Sequence, residues 1–194
     1  ITSHLEAFGP RPDIVVSGPN LGLNTGRSVL HSGTVGAALA AQNFGMRGLA
    51  VSLAVSEEWH FDTACQYAIE LLKALANGPE RCALNLNVPA MPYAQTKGLR
   101  WGGLAEFGSV RSQIVDQAEG KLFFDLVETE YNPPADSDLG LVNAGFAAVT
   151  SLQCSAEVWS ANLSPNTDYQ ATSPMPAASS GDVLTAAQVF GQGS

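Results

Sequence analysis

Positive charge is scarce in this chain. Nine lysines and arginines stand against eighteen aspartates and glutamates over 194 residues, a formal net charge of −9. That excludes a uniform basic footprint for duplex nucleic acid, so an anionic ligand would need a local positive device: a helix N-terminus, an arginine or a metal ion. Cysteine is scarcer still. Cys65, Cys82 and Cys154 are odd in number and form no CxxC pair. Neither a disulfide framework nor a zinc ribbon is thereby supported, and buried, inert thiols are the expectation. No apolar run approaches a membrane span and no charged-then-apolar signal region opens the chain, so no membrane partner is expected and a reducing cytoplasm fits best. Charged residues are only 14% and hydrophobic ones 45%, the balance of a well-buried globular chain.

What is present is an alternation of strand and helix signals. Ile1, Leu5 and Phe8 have helical spacing before Gly9-Pro10. "PDIVVSG" reads as a buried strand from Asp13 to Val16 or Ser17, followed by a loop from Gly18 to about His31. A helix capped by Ser32 or Thr34 follows, with Val35, Ala38, Leu39 and Gln42 on one face and Gly45 at its end. Then come a strand over 48–55, a helix over 61–76 capped by Asp62 or Thr63, and a strand over 82–89. This order predicts parallel strands with right-handed crossovers. Beyond Pro89, "GLRWGGLAEFG" and "KLFFDLVETEY" suggest extended strands or hairpins, and 140–153 a short helix, a turn at Gly145 and a final strand. The division expected is a Rossmann-like core over 1–90, a β-rich extension and closing segment over 91–153 serving oligomerisation, and a Ser/Pro-rich tail over 154–194 with one short helix at 182–190.

The stretch "SGPNLGLNTGRSVLHSGTVGAA" (17–38) carries the chemistry. Connections in α/β units usually take ~2–6 residues, so a loop of this length suggests function. In an open parallel sheet, ligands bind beyond the carboxyl ends of the strands. Glycine lets backbone approach a ligand, and free N–H groups at Ser32, Gly33 and Thr34 would cradle an anion at the helix start. Asn20 and Asn24 offer neutral oxygens suited to Mg²⁺ or Mn²⁺. Glycines at 18, 22 and 26 are spaced G-x3-G-x3-G, which is neither GxGxxG nor a Walker loop; the alternative is a glycine turn whose asparagines cap its own backbone.

"PDIVVSGPNLGLNTGRSVLHSGTVGAALAA", then "RGLAVSL", "LNLNVP" and "DSDLGLVNAGFAAVTSLQ", closely resemble in order the motifs of the SurE family of survival-protein nucleotidases, over residues 11 to about 153. The resemblance implies a three-layer α/β Rossmann-like parallel sheet and a metal-dependent phosphomonoesterase acting on nucleoside 5′- and 3′-monophosphates, sometimes on short polyphosphate. By position, Asn20 matches the asparagine that ligates one divalent cation per subunit, Asn24 a second active-site asparagine, and Gly18, Ser32, Gly33 and Thr34 the segments beside the phosphate. It also implies a homodimer or homotetramer through exchanged arms, for which "LVETEYNPPADSD" is the candidate here.

The family's other metal ligands are an adjacent Asp-Asp pair and a serine upstream of these motifs, and this chain has no Asp-Asp. Residues preceding Ile1 are the expected explanation; the alternative is a catalytically incomplete SurE-like module that binds nucleotide or scaffolds an oligomer. Pro19 stands where Ile or Val is usual, and Arg27 where an acid often sits; Arg27 is expected to be a solvated loop cation. His31 is expected to be structural, His4 and His60 surface or capping residues, Glu57 and Glu58 a solvated loop, and Trp59, Trp101 and Trp159 packing residues. No GxSxG elbow supports a serine hydrolase. A dinucleotide-dependent enzyme is disfavoured by the glycine spacing.

Overall fold

Gly48 to Leu53 is an unbroken buried run, as is Ala83 to Val88, and runs of this kind belong at the centre of a sheet covered on both faces. The computed structural model describes residues 1–118 and 120–153. Its sheet has five strands in the order β1-β2-β3-β7-β4: β1 Ile14–Leu21, β2 Arg47–Leu53, β3 Ala83–Val88, β4 Leu99–Trp101 and β7 Ala147–Leu152. β1, β2 and β3 are parallel, β7 runs antiparallel to β3, and β4 runs parallel to β7. The segment after Pro89 therefore adds two strands to the same sheet. The predicted Ser/Pro tail, its helix at 182–190, Cys154 and Trp159 lie outside the described residues.

Helices cover both faces. On one, Leu49, Val51, Leu53, Leu84, Leu86 and Val88 pack against Ala64, Tyr67, Leu71 and Leu75 of α2, Phe61–Ala76. On the other, Ala50 packs against Val35 and Ala38 of α1, Gly33–Asn43, while Ala148 packs against Leu141 and Val142 of α3, Asp138–Asn143. Each fully buried Leu or Val is worth roughly 1.5–3 kcal/mol, so the α2 face carries the largest share of the apolar stabilisation. A second sheet holds only β5, Val110–Ala118, and β6, Lys121–Glu128. Among the described residues no helix is long and apolar enough to cross a membrane.

The limits of α2 agree with its helical spacing, and Gly45, at φ +79°, follows the end of α1. Four expectations fail. Residues 1–9 form turns, not a helix: Ile1, Leu5 and Phe8 are all exposed, and a short helix with no surface to bury its apolar face is unstable in water. The cap of α2 is His60, without a side-chain capping bond, because Thr63 Oγ donates instead to Met91 O at 2.9 Å and is buried by that tertiary contact. β1 extends to Leu21, so the first residues of the predicted loop belong to a strand, and Gly26–His31 is a 3-10 turn. Cys65 is exposed, not buried; Cys82 is half-buried, its thiol donates to Pro79 O, and burial pushes its pKa up.

Candidate functional site

Three strands deliver one polar side chain each to a single row. Asn20 on β1 pairs in register with Ser52 on β2, and Ser52 with Asn87 on β3. Directly paired residues share a face, and here it is the face covered by α1, at the carboxyl ends of all three strands. A register shift between Ser17 and Asn20, spanning the cis Gly18–Pro19 peptide, sets Asn20 into this row. Ser52 Oγ donates to Asn20 Oδ1 at 3.1 Å, and Asn24 Nδ2 donates to Asn20 Oδ1 at 3.0 Å and to Ser52 Oγ at 2.7 Å. Asn20 Nδ2 in turn donates to the carbonyl of Gly22 at 2.9 Å, closing the loop on itself.

The loop is held from below. Asn85 and Asn87 Nδ2 both donate to the carbonyl of Asn24, at 2.8 and 3.0 Å, and the Asn24 amide donates to Asn87 Oδ1 at 2.8 Å. Two asparagines of a wholly buried strand thus spend their amides on one residue. Asn85 Oδ1 and Thr25 Oγ1 are buried without a hydrogen-bond partner among the described residues. One residue further on, the Gly26 amide donates to Asp138 Oδ2 at 2.9 Å, and Asp138 Oδ1 accepts from the amides of Ala105 and Leu139, each at 2.8 Å. Asp138 is fully buried. Burial pushes its carboxyl above the ordinary range, against the pull of these three N–H groups.

Asn20 and Asn24, named from sequence, are therefore brought together. Gly18 has a packing reason for being glycine: at φ +103° a Cβ there would stand 2.2 Å from the carbonyl of Val51. Ser32 caps α1, its Oγ accepting from the Val35 amide at 3.2 Å. Its own amide, expected to be free, donates to the carbonyl of Val29 at 3.4 Å because Ser32 also closes the preceding 3-10 turn. A crossover helix between parallel strands runs back along the sheet, so the start of α1 lies at the carboxyl ends of the strands. Helix geometry leaves the amides of Gly33 and Thr34 without intrahelical acceptors, and a side chain at Gly33 would meet nothing within 4 Å. Arg27 pairs with Glu106 at 3.7 Å, both well exposed, a contact worth ~0–1 kcal/mol. His31 is exposed, His4 stacks on Phe44, and Glu57 and Glu58 are exposed. Sequence reading missed Ser52, Asn85, Asn87 and Asp138 as partners of the loop. For the asparagines the signal was there: "ALNLNV" puts two polar residues at strand spacing in a buried run.

A family model described as "Survival protein SurE" matches residues 1–109. The chain belongs to the SurE family. It is 38% identical over 149 residues to "5'/3'-nucleotidase SurE" of Yersinia pestis (strain Pestoides F), covering 74% of this chain and 58% of that protein. To the protein of the same name from Yersinia pseudotuberculosis serotype O:1b (strain IP 31758) it is 36% identical over 157 residues, covering 78% and 61%. The chain thus spans about three-fifths of the length of these relatives. The crystal structure of the SurE protein from Aquifex aeolicus superposes with a TM-score of 0.64 at 26% identity, over 76% of this chain and 62% of that one. A SurE-type cation at Asn20 would meet one neutral oxygen that already accepts two hydrogen bonds. Among the described residues no group of three or more His, Cys, Asp or Glu is placed to hold a metal. Hard cations require several oxygens with carboxylate charge, so these residues alone do not fit one.

Proposed function

We propose that this chain carries the phosphate-handling part of a SurE nucleotidase, a hydrolase that releases phosphate from nucleoside 5′- and 3′-monophosphates. The observation that supports it is the Asn20–Asn24–Ser52 cluster, fixed at the strand ends on the face that α1 covers. In this reading the Gly33 and Thr34 amides and the hydroxyls of Ser32 and Thr34 bind the phosphate oxygens, drawing on the positive end of α1. Asn24 orients the same group, and Asn20 fixes Asn24. Asn20 and Asn24 are the candidate catalytic residues. Hydrolysis breaks the P–O ester bond as water adds to phosphorus, and the nucleoside leaves with a proton. Gly18 contributes by letting β1 and β2 approach, not by touching phosphate.

One divalent cation per subunit, Mg²⁺ or Mn²⁺, belongs to this reading on the condition that carboxylates from beyond the described residues join Asn20. A second reading, a nucleotide-binding or scaffold module without catalysis, is favoured by the lack of such carboxylates around Asn20 among the described residues. Phosphate release from adenosine 5′-monophosphate, with and without EDTA and then with Mn²⁺ restored, tests both. Release that EDTA abolishes and Mn²⁺ restores supports the nucleotidase. Binding without release supports the module, and neither binding nor release sinks both.

The β5–β6 hairpin supports assembly into a homodimer or homotetramer. Of the arm expected at 126–138 only its first three residues belong to this hairpin, and Ser137 and Asp138 are buried in the chain's own fold. Ile114 faces Phe124 across the strands, and Ile114, Val115, Leu122, Phe123, Phe124 and Leu126 are all exposed. Exposed apolar surface of this kind marks an interaction site.

A further inference from the structure

The polar row does not stop at Asn87. The register continues from Asn87 to Ala148 on β7 and from Ala148 to Arg100 on β4. Asn20, Ser52, Asn87, Ala148 and Arg100 therefore lie in one line across the sheet and share a face. Because β7 runs against β3 and β4 runs with β7, the starts of β7 and β4 lie at the same end of the sheet as the Asn24 cluster. Adjacent strands are about 4.8 Å apart, so Arg100 stands roughly 10 Å from Asn87 along the row.

At that position two cations share one aromatic ring. The Arg100 guanidinium stacks over Phe146 at 4.0 Å from its centroid, and Lys97 Nζ lies 5.7 Å from the same centroid. The Lys97 amide donates to the carbonyl of Gly145 at 2.9 Å, which fixes this segment beside the ring. Neither cation has a carboxylate within 4.0 Å among the described residues, although the chain holds twice as many acids as bases. Arg100 Nε is buried without an acceptor. Among the described residues no acceptor takes up this guanidinium, and its planar fork suits phosphate bidentately. One apolar cluster underlies both spots: Leu23, between Asn20 and Asn24, packs against the same Leu141–Val142–Ala148 cluster as Phe146.

We infer that Lys97 and Arg100, backed by the ring of Phe146, form an anion subsite that takes a second phosphate group of the substrate. This rests on the nucleotide reading above and extends it: the substrates bound best are those with one phosphate at the α1 start and another toward β4. A terminal phosphate of a nucleoside bisphosphate and the internucleotide phosphate of a short oligonucleotide offer the same chemistry. Phe146 holds the guanidinium plane in position, so charge alone at this spot does not replace it.

The test is calorimetric titration of the full chain with adenosine 5′-monophosphate, adenosine 3′,5′-bisphosphate and 5′-phosphorylated diadenylate. The readout is the affinity ratio of each two-phosphate ligand to the monophosphate. A charge-assisted pair of this type predicts a ratio of about ten or more in the wild type. Lys97→Gln, whose side chain is exposed, and Arg100→Gln, checked for folding by thermal melting, should each bring the ratio toward one. Preference for the bisphosphate assigns the subsite to a terminal phosphate, and preference for the diadenylate to a backbone phosphate; either supports it. A wild-type ratio of one, or a ratio unchanged in Lys97→Gln, overturns the subsite while leaving the nucleotide reading intact. Failure of the wild type to bind the monophosphate as well as both longer ligands overturns the nucleotide reading, and the subsite with it.

Discussion

The strand β3 and the β5–β6 hairpin are both extended and rich in apolar residues, yet they meet opposite fates. Every residue of β3 is buried, and its two polar side chains, Asn85 and Asn87, are committed to one loop. Nearly every residue of the hairpin is exposed, including Phe124 and Leu126, and its strands pack chiefly on each other. A lone two-stranded hairpin is marginal in water, whereas a central strand covered on both faces is not. Within one chain, then, the interior fixes the candidate site, and the hairpin leaves apolar surface exposed.

The contrast can be broken from the inside first. Asp138→Ala would leave three buried amides unpaired and should destabilise the fold by roughly 3–5 kcal/mol, seen as a fall in the denaturant midpoint. Asp138→Asn separates charge from shape. The carboxyl has a folded-state pKa raised above its usual 3.8, so the folded form holds its proton longer than the unfolded one. Wild-type stability should therefore decline as pH rises through and above that value, and its advantage over the Asn variant should shrink; an advantage that grows with pH would contradict this. Next in size, Asn87→Ala removes two bonds to Asn24 and should cost about 2–3 kcal/mol. Hydrogen exchange should show a larger local effect at Asn24 and Gly26 than in α2.

Smaller still, Ser32→Ala deletes the α1 cap and should cost about 1 kcal/mol. At the far end of the scale, Leu126→Glu on the arm should change monomer stability by no more than about 0.5 kcal/mol. The same variant should shift the mass seen by light scattering toward the monomer. If it lowers the melting temperature as much as Asn87→Ala does, the hairpin is part of the core after all.

Much of this was legible in the residues. Short runs rich in apolar residues announced β2 and β3, and the segment Phe61 to Ala76, closed by Asn77-Gly78-Pro79, announced α2 over its full length. Asn20 and Asn24 stood out because little else in their stretch could fill a core. The rest was hidden for identifiable reasons. Spacing at Ile1, Leu5 and Phe8 suggests a helix, but periodicity says nothing about whether a surface exists to receive it. Thr63 looked like a cap until a carbonyl 28 residues away claimed its hydroxyl. Asp138 reaches a loop 112 residues earlier in the chain, and no local pattern encodes such a pairing. The alignment of Arg100 with Asn20 depends on β7 reversing direction, which the motif order alone does not reveal.

The grip of Asn85 and Asn87 on Asn24 has a consequence for how this chain could recognise anything. A loop tied by its own backbone to the most deeply buried strand shares that strand's stiffness. Its residues are already in place before a ligand arrives, so little ordering entropy is lost on binding. Discrimination would then come from a rigid outline that a wrong ligand fails to match, rather than from a flap that closes on the right one. Shortening or lengthening the loop would change the ligand accepted, while loosening it would only weaken the hold on all of them.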